Sequence, residues 1–328
     1  MSISLFIENE DYNYWIKNND YYSMQNIDKF INYFFPDNLQ INFIDKDISD
    51  NKYNAKICGI QLDDNIKLEL DNTKLNILIC VENCNYHKHY KHYNKYGNFG
   101  NDKIQIYFYN HIDKCIITDK YIAIPVIYTQ INYFLKYYKS YNNSYNSNYN
   151  NNIINNIEPS IYTKFIDKKF CLFASNNSFN SENKDKIKSL LKSLGNCDII
   201  DDYKHLISNK SCYHSIELLN LFNSYKFIFV CENSLGSGYI TEKIFNCLFA
   251  RCIPIYYGCN DIENFIDKDC FINMNNMNNN ENIIKNDILD LTNNETNFIN
   301  KINANKIDKN YNDENYKDSL KTFIEKYV

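Results

Sequence analysis

Short apolar runs alternate along the chain with polar stretches whose apolar positions recur at helical spacing, the pattern of an α/β protein. In the amino-terminal half the runs Leu39-Gln40-Ile41-Asn42-Phe43-Ile44, Ala55-Lys56-Ile57-Cys58-Gly59-Ile60 and Asn76-Ile77-Leu78-Ile79-Cys80-Val81 read as strands, with a weaker one at Ile104-Gln105-Ile106-Tyr107-Phe108. Residues 1–40 read as helical, ending at Phe34-Phe35 before Pro36. In the other half, Lys169-Phe170-Cys171-Leu172-Phe173-Ala174 opens a second α/β unit, followed by a charged helix from Lys184 to Leu194. Helices are also predicted near Glu281 to Leu291 and from Glu314 to Tyr327, the last with Tyr316, Leu320, Phe323 and Ile324 on one face.

The most informative stretch runs from Tyr225 to Gly258. Phe227-Ile228-Phe229-Val230 suits a fully buried parallel strand. A polar loop follows, Glu232-Asn233-Ser234-Leu235-Gly236-Ser237-Gly238-Tyr239, and Thr241-Glu242-Lys243 then starts a helix with Ile244, Cys247, Leu248 and Ala250 at helical spacing. Ile253-Pro254-Ile255-Tyr256 makes the next strand. Such a strand–loop–helix–strand unit places ligands at the carboxyl ends of parallel strands. Glycines let the backbone approach a ligand, and amides at a helix start attract an anion. Two readings fit Thr241-Glu242-Lys243 on physical grounds: a ligand site, or a helix start capped by Thr241 with its charges on a solvated face.

From Lys139 to Asn156 the sequence collapses to Tyr, Asn and Ser, a composition that cannot bury a core. A linker or loop at about 139–157 therefore separates an α/β domain over 1–158 from a second over 159–305, with a terminal helix over 306–328.

The string FVCENSLGSGYITEKIFNCLFARCIPIYYG closely resembles the donor-binding signature of the α1,3-fucosyltransferase family: an apolar strand, F-E-N-[ST], a loop, G-Y-[VI]-T-E-K-[IL], a helix and I-P-[IV]-Y-x-G. Cys231 stands where the family often has Phe, and Tyr257 where Trp is frequent. The resemblance extends from Lys169 to Asn273 and is weaker in the amino-terminal half. It implies two Rossmann-like domains facing a cleft (a GT-B-like α/β fold) with the terminal helix returning to the first domain. It also implies an inverting transfer of fucose from GDP-fucose to an oligosaccharide hydroxyl, without an essential metal and with a divalent cation at most stimulatory. By resemblance Glu242 meets the ribose hydroxyls, Lys243 meets the diphosphate, and Asn233 and Tyr239 shape the pocket.

The family's Arg beyond a Ser-Asn strand end is missing after Ser175-Asn176, so Ser175 and the nearest cation, Lys184, are assigned to the donor instead. Lysine offers a point charge where arginine offers a fork. Arg251 lies at the far end of the signature helix and complements its dipole. Asp198-Ile199-Ile200-Asp201-Asp202 replaces a family Gly-rich turn, and Ala123 stands at the Arg position of an R-x-P motif. These departures leave open another nucleotide sugar as donor, or a glycan-binding homologue that has lost catalysis.

Inverting transfer needs a base for the acceptor hydroxyl. Glu82, following the run Ile77 to Val81, resembles the family's G-E-N glutamate and is the candidate, although a strand-end Glu also serves in ordinary turns. Cys84 and the histidines His87, His89 and His92 have spacing that permits metal ligation. No second Cys/His group completes a site, so an exposed acceptor-side loop and no metal are expected.

Composition changes little. The chain has 328 residues, 44 % hydrophobic and 16 % aromatic, enough for two cores. A net charge of −5 without a basic block argues against nucleic acid as a partner. The twelve cysteines form no CxxC pair; several, such as Cys80, Cys171, Cys231 and Cys247, lie in apolar runs and read as small buried hydrophobes, and a reducing compartment is expected. Acidic residues interrupt the start too early for a secretory leader, and no run approaches a membrane span, so a soluble cytoplasmic protein is expected.

Overall fold

A computed structural model of the chain describes residues 2–7, 40–44, 55–60, 75–80, 105–109, 116–137, 162–174, 182–200, 216–233, 235–275, 277–312 and 314–327. They fall into two compact units. One comprises Met1–Tyr133, Gly236–Tyr239 and Asn312–Val328, the other Phe134–Leu235 and Ile240–Tyr311. Glu82, Ser175, the histidines 87–92 and the tract 139–157 lie outside the described residues.

The first unit is built on a sheet of order β2-β1-β3-β4-β5-β7-β6, with β1 Ser2–Ile7, β2 Gln40–Ile44, β3 Ala55–Ile60, β4 Leu75–Cys80, β5 Gln105–Tyr109, β6 Ile116–Ile117 and β7 Tyr121–Pro125. All its pairings are parallel except β6 with β7. Residues 2–7 correct the helical reading of the amino terminus. Ser2-Ile3-Ser4-Leu5-Phe6-Ile7 pairs with β2 on one side and β3 on the other. Ile3, Phe6 and Ile7 are of the types that suit a pleated strand, and the sheet supplies two sets of partners that a local pattern does not reveal. Ala123, at the expected Arg position, is fully buried in β7 opposite Tyr107.

Pro125 closes β7, and α1 Val126–Tyr137 follows with Val126, Ile127 and Ile131 buried. The terminal helix, α7 Glu314–Tyr327, buries Tyr316, Leu320, Phe323 and Ile324, the predicted face. It belongs to this unit: Tyr316 meets Tyr128 at 5.4 Å between ring centroids, and the Tyr327 hydroxyl donates to the Asp119 carbonyl.

The second sheet is wholly parallel, with order β12-β11-β10-β8-β9: β8 Lys169–Ala174, β9 Cys197–Ile200, β10 Tyr225–Cys231, β11 Ile253–Tyr257 and β12 Ile272–Asn273. The chain leaves β8 for β9 on one side and then returns to place β10 on the other. The strand order therefore reverses between β8 and β10, the point at which doubly wound sheets bind ligands. Phe173 and Phe229 stack across that pair with centroids 4.3 Å apart and planes 9° from parallel. Cys197-Asp198-Ile199-Ile200 is an edge strand in register with Cys171 to Ala174, although Asp198 to Ile200 belong to the stretch that replaces the family turn in sequence.

Around this sheet lie α2 Glu182–Leu194, α3 Ile216–Asn223, α4 Glu242–Phe249, α5 Met277–Asn293 and α6 Glu295–Asn303. Ile187 and Leu191 of α2, Ile284, Ile288 and Leu291 of α5, and Phe298 and Ile302 of α6 join one core with the strands. No described helix is long and apolar enough to cross a membrane.

Candidate active site

The apolar run of β10 ends at Cys231, and the next residue, Glu232, is 1 % exposed. A carboxylate in that position needs donors on both oxygens. Oε1 accepts from the Thr241 amide at 2.9 Å and from the Tyr256 hydroxyl at 3.5 Å. Oε2 accepts from the Thr241 hydroxyl at 2.7 Å and from the Lys243 ammonium at 3.3 Å. The ammonium also donates to Thr241 Oγ1 at 3.0 Å and lies 3.9 Å from Glu242 Oε1. Lys243 thus sits between two carboxylates, with its own side chain 12 % exposed.

Thr241 occupies the N-cap position of α4 in extended conformation, but its side chain makes no capping bond. The hydroxyl is turned to Glu232 instead. The structure therefore departs from both halves of the solvated-face reading, since Glu242 is 2 % exposed and Thr241 does not cap. At the other end α4 closes with the Arg251 amide on the Leu248 carbonyl and the Cys252 amide on the Cys247 carbonyl, a Schellman arrangement. Arg251 takes the left-handed position at φ 55, and its guanidinium reaches Asn303 Oδ1 at 3.1 Å.

The neighbouring strand braces the same carboxylate. The Tyr256 hydroxyl accepts from the Cys259 amide at 3.0 Å, and burial, followed by the Glu232 charge, holds its pKa well above the ordinary phenol value. A Cβ on Gly258 would lie 2.6 Å from Glu232 Cγ and 2.7 Å from the Tyr256 oxygen. Asn275 fixes that turn, accepting from the Gly258 amide at 2.9 Å and donating to the Cys259 carbonyl at 2.8 Å.

Lys184, in the first turn of α2, is 7 % exposed. Burial pushes the Cys231 thiol up to about 12 with help from Glu232, while the Lys184 and Lys243 charges pull it back. Both cations therefore act at the carboxyl end of β10. Asn183 beside Lys184 donates to the Tyr257 hydroxyl at 3.2 Å, which ties the start of α2 to the end of β11. Tyr257, where the family often carries Trp, is thus in hydrogen-bond contact with this helix.

Lys184, Glu242 and Lys243 are brought to one end of the second sheet, and Asn233, half-buried, directly follows Glu232 there. Tyr239 is buried, after a turn in which Gly238 has φ 69 and the Tyr239 amide bonds the Gly236 carbonyl. Ser175 follows β8 in sequence and lies outside the described residues. The residue that sequence reasoning missed is Glu232. Its signal was an acidic side chain immediately after an apolar run, the same signal that singled out Glu82.

The arrangement can fix a diphosphate by two lysines and leave Glu242 to accept from hydroxyls. Among the described residues no group of three or more His, Cys, Asp or Glu side chains is placed to hold a metal.

Comparison with known proteins points one way. Residues 164–307 match the family described as glycosyltransferase family 10 (fucosyltransferase), C-terminal part. A protein of Acanthamoeba polyphaga mimivirus, provisionally named a fucosyltransferase, is 37 % identical over 83 residues, which are 25 % of this chain and 14 % of that protein. A crystal structure of alpha1,3-fucosyltransferase superposes with a TM-score of 0.59 at 16 % identity, over 100 % of this chain and 90 % of that one. A structure of alpha1,3-fucosyltransferase with GDP-fucose gives 0.54 at 16 % identity over 99 % and 90 %. The fold is that of these enzymes.

Proposed function

Residues 164–307 belong to the fucosyltransferase family 10 C-terminal domain, and from that premise we propose that the chain is an inverting glycosyltransferase moving fucose from GDP-fucose to a glycan hydroxyl. The observation that carries this reading is the buried Glu232–Thr241–Lys243 cluster at the switch point of a sheet whose sequence matches that family. The GDP-fucose complex of a protein with the same fold supports the choice of donor.

Lys243 and Lys184 neutralise the diphosphate, Glu242 accepts from the ribose, and Asn233 and Tyr239 shape the sugar pocket. The acceptor oxygen attacks the anomeric carbon as the bond to the β-phosphate oxygen breaks, and the hydroxyl proton passes to Glu82. GDP leaves with the bonding pair, and the two cations stabilise the charge it gains. Only contacts that strengthen as that charge develops raise the rate.

The test is incubation with GDP-fucose and a panel of oligosaccharides, read by mass spectrometry, alongside thermal shift with GDP, UDP and dTDP. Transfer and selective stabilisation by GDP are expected; absence of both overturns the reading. Glu82→Gln should lower kcat about a hundredfold or more at unchanged donor affinity. Glu242→Gln should instead raise the donor KM.

A further inference from the structure

Glu232 has more hydrogen-bond donors directed at it than a loop brace needs. Its side chain is wholly buried, and it takes both groups that Thr241 can donate, the ammonium of Lys243 and the hydroxyl of Tyr256. The strand side is shaped around its stem, since Gly258 leaves no room for a Cβ against Glu232 Cγ. Thr241, which would ordinarily cap α4, gives its hydroxyl to Glu232 and offers its oxygen lone pair to Lys243. The Glu232 carboxylate and the Thr241 hydroxyl thus converge to hold one ammonium at the start of a helix.

We propose that Glu232 is a positioning residue for donor binding: through Thr241 and Lys243 it fixes the ammonium where the donor's diphosphate is received. The inference rests on the donor-binding reading of this site and adds to it a residue that does not touch the donor.

The sign of its effect follows from hydrogen-bond inventory. Each carboxylate oxygen faces donors. A glutamine has one acceptor oxygen, so its amide NH2 must face either the Thr241 amide or the Lys243 ammonium. The Thr241 hydroxyl can rotate to accept, whereas the Thr241 amide cannot, so the NH2 turns toward Thr241 Oγ1 and Lys243. The ammonium then meets a donor in place of an acceptor and leaves its position. Removing a negative charge would by itself favour an anion, but the charge of Glu232 is already paired with Lys243 at 3.3 Å. Orientation decides.

The experiment is a double-mutant cycle on GDP affinity, by titration calorimetry on the full chain, with stoichiometry reporting the folded fraction. Glu232→Gln should raise the GDP dissociation constant about tenfold. In a Lys243→Ala background the same change should weaken binding no further, because its route is gone. A merely structural brace would lower the melting temperature and the competent fraction while leaving affinity per folded molecule unchanged. The inference is overturned if Glu232→Gln binds GDP as the wild type does, or if its effect is the same in both backgrounds. Should Glu232→Gln fail to fold, Thr241→Val removes the shared hydroxyl. It should weaken GDP by about threefold, and wild-type affinity there overturns the inference equally. A wild-type chain that does not bind GDP at all brings down the donor reading itself, a result distinct from either.

Discussion

The two ends of the second sheet carry the same three chemical groups and use them differently. At the amino end the Lys169 ammonium donates to Asp198 at 3.0 Å and to the Tyr225 hydroxyl at 3.4 Å, and Tyr225 donates to Asp198 at 2.7 Å. At the carboxyl end the Lys243 ammonium, the Glu232 carboxylate and the Thr241 hydroxyl make bonds of 3.3, 3.0 and 2.7 Å. The lengths are alike, but the surroundings are not. Lys169 is 62 % and Asp198 36 % exposed, against 12 % for Lys243 and 0 % for Glu232. Water screens the first cluster, and such pairs add little to stability. The second has left water, so each member depends on the others and the loss of one leaves a buried charge. Burial at the carboxyl end of a parallel sheet, and not composition, sets the second lysine–carboxylate–hydroxyl group apart from the first.

Substitutions can break that contrast. Gly258→Ala should have the largest effect, because a methyl must displace Glu232 or Tyr256; about 2 kcal/mol of stability should be lost, read by urea denaturation. Tyr256→Phe removes one Glu232 donor and leaves the buried Cys259 amide without its acceptor. About 1.5 kcal/mol is expected there.

At the amino end a half-buried cation should respond to pH. Lys168 precedes β8 and donates to the Asn223 carbonyl, and burial, with Arg251 adding, lowers its pKa to about 8. The folded state therefore gives up this proton before the unfolded chain does, and stability rises with pH between the two values. Between roughly pH 7.5 and pH 9 the wild type should gain about 1 kcal/mol relative to Lys168→Met. The difference is the readout, because the buried Cys231 and Cys270 thiols, both pushed up to about 12, act oppositely above the ordinary thiol value in both proteins. Smallest of all, Lys169→Ala should change stability by within about 0.5 kcal/mol, and an appreciably larger loss would erase the contrast.

Much of this was legible in the chain. The runs that became β2 to β5, β8, β10 and β11 are dominated by apolar residues, interrupted by single polar ones such as Asn42, Lys56, Asn76 and Lys226, and the buried face of α7 follows helical spacing. What escaped depended on partners far along the chain. Ser2 to Ile7 is a strand because Gln40 to Ile44 and Ala55 to Ile57 lie beside it, and Cys197 to Ile200 is one because of Cys171 to Ala174. Neither dependence leaves a mark at the strand itself. In the site, Glu242 and Lys243 follow from the motif and Lys184 from its place after the missing family Arg, and all three lie at the carboxyl end of the sheet. Glu232 was passed over as a loop residue because its partners, Thr241, Lys243, Tyr256 and Gly258, become visible only when α4 and β11 pack against the end of β10.

The most direct test sets the two lysines side by side in GDP titration calorimetry. Lys243→Ala should lose about 1.5–3 kcal/mol of GDP binding, the range for a hydrogen bond to a charged group, while Lys169→Ala binds as the wild type does. Wild-type affinity in a folded Lys243→Ala protein, or equal losses in both variants, would contradict the assignment of the donor site to the carboxyl end of the second sheet.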